Sequence, residues 1–148
     1  MLLTGSGALP WVGDLARWGQ VVAGLLASNG WLVLYEGHPL NWVWDRQAET
    51  VQLRTGRSYF DAQAKPNDDF PARAVERFAP GGAPIPRAWE HQWTLGQLVT
   101  AVAAAGLRIE RLVEYPAHFW PEFPRVPPAE LARLPHSFLL VARLAGPG

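Results

Sequence analysis

The sequence predicts a single α/β domain in which buried strands carry helices packed against them. Three observations carry that prediction. Two segments repeat apolar residues at helical spacing, each runs into an apolar stretch of strand length, and a third such stretch lies near the end of the chain. A length of 148 residues suits one domain with a real core. There is no internal repeat and no composition shift that would mark a domain boundary.

The elements follow in order. Met1-Leu2-Leu3 is a very short apolar entry, and TGSGALPWVG after it is a loop of small residues. Asp14 is placed to N-cap a helix over Leu15 to Ala27. Leu15, Trp18, Val22 and Leu25 form its stripe, which Val21 and Leu26 widen, and Ser28-Asn29-Gly30 ends it. WLVLYE, Trp31 to Glu36, is a continuous apolar run, the pattern of a strand covered on both faces. Gly37 and Pro39 stop that strand abruptly, lifting the carboxylate of Glu36 and the imidazole of His38 to one strand end, where open α/β sheets bind ligands.

Residues 38–93 read as an insertion or lid. Within it, Glu49 to Leu53 and Gly56 to Asp61 are expected to pair as a β-hairpin about Arg54-Thr55-Gly56, before a polar, proline-rich excursion. Trp89-Glu90-His91-Gln92-Trp93 is expected to be a strand with two indoles flanking an imidazole on one face. Thr94-Leu95-Gly96-Gln97 is a capping box. The helix it opens buries Leu95, Leu98, Val99 and Val102 and stops at a left-handed Gly106. LRIERLVEY follows as a strand whose alternation slips between Ile109 and Leu112, as a bulge would make it. A connection rich in proline and aromatics leads to a final strand, SFLLVARL.

Composition excludes several function classes. Thirteen basic residues balance thirteen acidic ones and only Lys65 is a lysine, so no cationic surface is expected for nucleic acid. Zero cysteines exclude disulfides, thiol catalysis and thiolate metal sites and fit a reducing compartment, the cytoplasm by default. No stretch approaches the roughly 18 unbroken apolar residues of a membrane span, so no membrane partner is expected. Eight tryptophans point to a large aromatic core or an aromatic-lined pocket.

The motifs are suggestive singly. Thr4-Gly5-Ser6-Gly7 resembles a phosphate-cradling loop, but Pro10 stands where G-x-G-x-x-G ends in glycine, so the better reading is bare backbone that a ligand can approach. His38, His91, His118 and His136 with Glu36 offer metal-ligand chemistry, yet no two stand at helical ligand spacing, and no metal is assigned. Gly5-Ser6-Gly7 lacks the flanks of a serine nucleophile elbow.

In sum, GALPWVGDLARWGQVVAGLLASNGWLVLYEGHPL, SYFD, WEHQWTLGQLVTAVAAAGLRIERLVEYP and LPHSFLLVARL resemble, in order and spacing, the C-terminal half of class I S-adenosylmethionine-dependent methyltransferases. The resemblance covers nearly the whole chain. It implies a Rossmann-like sheet of order 3-2-1-4-5-7-6 with strand 7 antiparallel, of which this chain would hold strands 4, 5, 7 and 6. It also implies that the glycine-rich turn and acidic strand end that bind most of the cofactor lie in about 90 residues, three βαβ steps, missing in front. The domain would then be partial, weakly active or inactive alone, with an exposed sheet edge open to self-association.

For the chemistry, the resemblance implies S-adenosyl-L-methionine beside Gly5, Ser6, Gly7, Ala8 and Trp11, and a small-molecule acceptor facing Glu36, Trp89, His91 and Trp93, with His38 as proton acceptor. Two rival readings stay open: a noncatalytic aromatic-rich binding module, and a metal-dependent enzyme built on the four histidines.

Overall fold

A computed structural model of the chain describes residues 1–61, 63–67, 87–118 and 120–144. In chain order it has β1 (Leu2–Gly5), a 3-10 turn at Leu9–Trp11, helix α1 (Leu15–Leu25), β2 (Trp31–Gly37) and a 3-10 turn at Pro39–Trp42. Further along come β3 (Lys65–Asn67), β4 (Ala88–Glu90), helix α2 (Leu95–Ala104), β5 (Leu107–Tyr115), the short helix α3 (Pro128–Leu131) and β6 (Ser137–Leu144). The main sheet has the order β1-β2-β6-β5. β1 and β2 are parallel, and β6 lies antiparallel between β2 and β5.

Local chemistry sets the helix ends. The Asp14 carboxylate accepts the Arg17 N–H, and Thr94 with Gln97 forms the full reciprocal capping box of α2. Asn29 and Gly106 take the left-handed conformation just beyond α1 and α2, at φ 61° and 81°. The register shift in β5 falls between Ile109 and Arg111, inside the interval where the alternation slips.

The core lies on one face of the sheet. Leu32 and Leu34 of β2 and Phe138, Leu140 and Ala142 of β6 are fully buried beneath Leu15, Val22 and Leu26 around α1 and Leu98, Ala101 and Val102 of α2. Each large apolar side chain buried there contributes about 1.5–3 kcal/mol. The opposite face corrects the two-sided reading of WLVLYE. Among the described residues Val33, Tyr35, Leu139 and Val141 are only half-buried, and Leu3 is 70% exposed. Both helices pack on the same side, and an unbroken apolar run does not say which side that is. For the same reason Val21 and Leu25, expected in the core, are 51% and 69% exposed on the outer flank of α1. Gly19 takes a place in the contact instead: a Cβ there would stand 2.9 Å from the Ala101 carbonyl oxygen, so its absence lets α1 and α2 approach.

Three local expectations are corrected. Residues 49–61 form turns rather than a hairpin, with one isolated bridge, Trp44 to Leu53, because the backbone turns at Gly56 (φ 73°) without pairing its flanks. The small two-stranded sheet joins β3 to β4. The expected strand over Trp89–Trp93 is extended only to Glu90, since the His91 N–H turns away to the Pro10 carbonyl at 2.7 Å. Residues 62 and 68–86 of the insertion lie outside the described residues.

Candidate functional site

The parallel strands β1 and β2 end side by side, and the loops leaving them enclose a cleft. Its inner part is a cavity of about 30 Å³ between Leu9, Pro10, Gly37, Trp42, His91 and Trp93. An adjoining cavity of about 100 Å³ shares Pro10, Glu36, Gly37 and Trp42 and opens toward Gly7, His38, Arg46, Trp120 and Glu122. This is the carboxyl-end crevice where α/β sheets bind ligands.

Glu36 builds the floor of the cleft. Its side chain points to the sealed face of the sheet and is 4% exposed. Its carboxylate accepts the backbone N–H groups of Gly7, of Ala8 at 2.9 Å, of Leu9 at 3.2 Å and of Gly37 at 3.1 Å. The Ser6 N–H is spent on the Tyr35 carbonyl at 2.9 Å. The glycine loop is thus an anion-binding nest whose anion comes from the protein itself. Expected to face the acceptor, Glu36 instead ties the loop after β1 to the end of β2. Gly5 makes the junction sterically feasible: at φ 143° a Cβ would lie 1.8 Å from the Tyr35 oxygen. Gly7, at φ 95°, has open space where a Cβ would be, so bare backbone faces the cleft there.

His38 is 3% exposed and lacks the free nitrogen a proton acceptor requires. The Leu40 N–H donates to its Nδ1 at 3.1 Å, which places the proton on Nε2, and Nε2–H donates to Glu114 Oε1 at 2.8 Å. Burial holds the imidazole below its ordinary value, against the opposing pull of Glu114. The ring braces the end of β2 against β5.

The aromatic residues divide. His91 and Trp93 lie in the inner cavity with rings stacked at 5.5 Å and 6°, and the Trp93 indole N–H donates to the Val12 carbonyl at 2.8 Å. Trp89 is 47% exposed under the Arg87 guanidinium and does not line the cleft, because the chain leaves the strand before the three rings can align. Trp11 is partly exposed at the end of the loop.

Sequence reasoning assigned no site role to Trp42, Arg46, Asn41, Trp120 or Glu122. Trp42 had a signal, the pair of tryptophans just past the strand end; Asn41 and Arg46 stand close to it in sequence without one, and Trp120 and Glu122 reach the cleft from a segment far along the chain. Glu122 bonds Arg46 at 2.9 Å, and burial raises its carboxyl above the ordinary range while Arg46 opposes. Asn41 is held by His136, donating to its carbonyl at 3.0 Å and facing its Nδ1 at 2.9 Å. The His136 ring stacks on His118 with centroids 3.6 Å apart.

This stack predicts acid sensitivity. Burial, with the neighbouring His136, lowers His118 to about 4, and burial also lowers His136 and His38. Between about pH 6.5 and 4 the unfolded chain binds protons that the folded chain refuses, so stability falls as pH falls through that window. Glu122, shifted upward, acts in the opposite direction within the carboxylate range. Urea unfolding at about pH 7 and pH 4.5 is expected to show the loss, and His118→Phe should reduce it. An equal loss in the variant would show that the stack is not responsible.

Among the described residues, no three His, Asp or Glu side chains gather as a metal site, and no helix is long and apolar enough to cross a membrane. No family model matches the sequence, and no curated protein matches it. Solved structures do match. An S-adenosylmethionine dependent methyltransferase from Mesorhizobium loti aligns at 23% identity and TM-score 0.58, over 95% of this chain and 59% of its own. A Listeria monocytogenes protein assigned to the same class aligns at 17% identity and TM-score 0.59, over 96% and 59%. A third, from Clostridium acetobutylicum, aligns at 9% and 0.50, over 97% and 57%. The chain therefore has a class I methyltransferase fold and spans about three-fifths of the length of these structures.

Proposed function

We propose that this chain forms the acceptor side of an S-adenosylmethionine-dependent methyltransferase that acts on a small molecule, in a reducing compartment such as the cytoplasm. The observation that carries the reading is the cleft at the ends of β1 and β2, set in a sheet of order β1-β2-β6-β5. That order is the one expected of family strands 4, 5, 7 and 6. The edge of β1 is open among the described residues, which favours self-association of the isolated chain.

The loop Gly5–Ala8 with Trp11 suits the cofactor in one particular way. Because Glu36 and Tyr35 already hold the amides from Ser6 to Leu9, the loop offers a rigid, uncharged surface of bare backbone at Gly7 and an indole at Trp11. The cofactor, when bound, supplies a sulfonium-activated methyl group. The protein then has to align the reacting atoms and exclude water, which needs no strong base. Trp42, His91 and Trp93 form the apolar wall, and Glu36 and His38 are positioning residues that fix the two strand ends.

The test is a titration of S-adenosylhomocysteine into the isotope-labelled chain, followed by amide chemical shifts. Shifts confined to residues 5–11 and Gly37, saturating weakly, are expected. No shifts at about 10 mM, or shifts confined to another face, would remove the reading.

A further inference from the structure

Most polar groups of the cleft are spent on the fold. Four backbone N–H groups occupy the Glu36 carboxylate, both His38 nitrogens are engaged, and His136 holds Asn41 at both ends of its amide. The capacity left over is the His91 Nδ1 in the inner cavity, which has no hydrogen-bond partner among the described residues, and a cationic group at the mouth. Arg46, its side chain 51% exposed, lines the outer cavity, and among the described residues its five N–H donors make one hydrogen bond, to Glu122 Oε2. The neighbouring turn Arg54-Thr55-Gly56-Arg57 carries two more guanidiniums, neither of which lines the two cavities. The Arg54 N–H to Val43 carbonyl bond at 2.8 Å, the Asp45 N–H to Gln52 carbonyl bond at 3.0 Å and the Trp44–Leu53 bridge pin that turn to the segment carrying Trp42 and Arg46.

Arg57 Nη1 is buried and has no hydrogen-bond partner among the described residues. A buried charged donor left without an acceptor is destabilising, so the arrangement suits an acceptor that arrives from outside. Burial, with Arg54 and Arg46 in electrostatic range, lowers the Arg57 guanidinium; Asp61 and Glu90 act against them. Asp61 is already bound to Lys65 at 2.5 Å. Glu122 is the only carboxylate paired with any of these three arginines among the described residues.

We infer that Arg46 and Arg57, with Arg54 beside them, form an oxyanion subsite at the mouth of the cleft. The acceptor carries a carboxylate or phosphate that takes over Arg46 from Glu122, while its body lies against Trp42 and Trp120. Guanidinium forks hold both anions bidentately, which a point charge does not. The exchange leaves Glu122 without the partner that opposes its burial, so it takes up a proton from solvent as the anion binds. That the ligand is a methyl acceptor rests on the methyltransferase reading; the subsite itself does not.

The test uses three probes with the same ring and different heads: benzoate, phenyl phosphate and benzylamine, titrated calorimetrically into the full chain at low salt. One or both anions should bind about tenfold or more tighter than the amine. Arg46→Gln and Arg57→Gln should each weaken the anion about tenfold while leaving the far-ultraviolet spectrum unchanged. The binding heat should vary with buffer ionisation, reporting the proton taken up, and Glu122→Gln should abolish that dependence. The tighter anion assigns carboxylate or phosphate. Amine binding as tight as anion binding, no binding by either anion, or anion affinity unchanged in both arginine variants overturns the subsite. None of the probes involves methyl transfer, so this result and the S-adenosylhomocysteine titration can fail separately.

Discussion

Glu36→Ala is expected to cost the fold about 3–5 kcal/mol. Four backbone N–H groups, those of Gly7, Ala8, Leu9 and Gly37, depend on one carboxylate. Charge-assisted bonds of this kind contribute about 1.5–3 kcal/mol apiece, and leaving a buried donor unpaired costs about 1–3. Part of that loss is recovered as water enters the loop, which brings the sum down to the stated range. Glu36→Gln makes the origin visible. Its carbonyl still accepts, but its NH₂ meets backbone donors head-on, so it should fall between wild type and alanine. The measurement is urea unfolding, with a loss against about 5–15 kcal/mol of total stability for a domain of this kind. A loss below about 1 kcal/mol for alanine would mean that the loop does not depend on this carboxylate.

Gly5→Ala should be nearly as damaging, for a steric reason. The added carbon would stand 1.8 Å from the Tyr35 oxygen and 2.7 Å from its carbonyl carbon, and φ is 143°. Neither atom belongs to a flexible side chain. β1 must pull away from β2, breaking the Gly5–Tyr35 register and the Ser6 N–H to Tyr35 bond. About 3 kcal/mol or more is expected, as overpacking and backbone strain add. Gly7→Ala is the internal control. It has a positive φ of 95° but open space around the added carbon, so strain alone applies, at about 1 kcal/mol. Equal losses in the two variants would show that close approach at Gly5 is not what distinguishes them.

The candidate site was only partly legible beforehand. The loop of Gly5 to Trp11 and the strand end at Glu36 and His38 announced themselves through glycine, proline and the break in an apolar run. Their roles did not. A carboxylate at a strand end reads as ligand-facing until its amide partners, 27 to 29 residues upstream, are known. An imidazole reads as free until the acid 76 residues further on is seen beside it. Trp120 and Glu122 sit in a proline-rich connection without periodicity, so no pattern could direct them to the cleft.

Caps, glycine stops and the slip in β5 were readable because each is decided within a few residues of itself: a side-chain oxygen reaching an amide three positions on, or a missing Cβ permitting a left-handed turn. Which face of the sheet is sealed, why Leu25 is exposed while Gly19 is packed, and which carboxylate fills the glycine loop were decided by the tertiary structure alone. Those outcomes depend on partners brought together by chain topology, and residue spacing carries no record of a partner that lies on another strand.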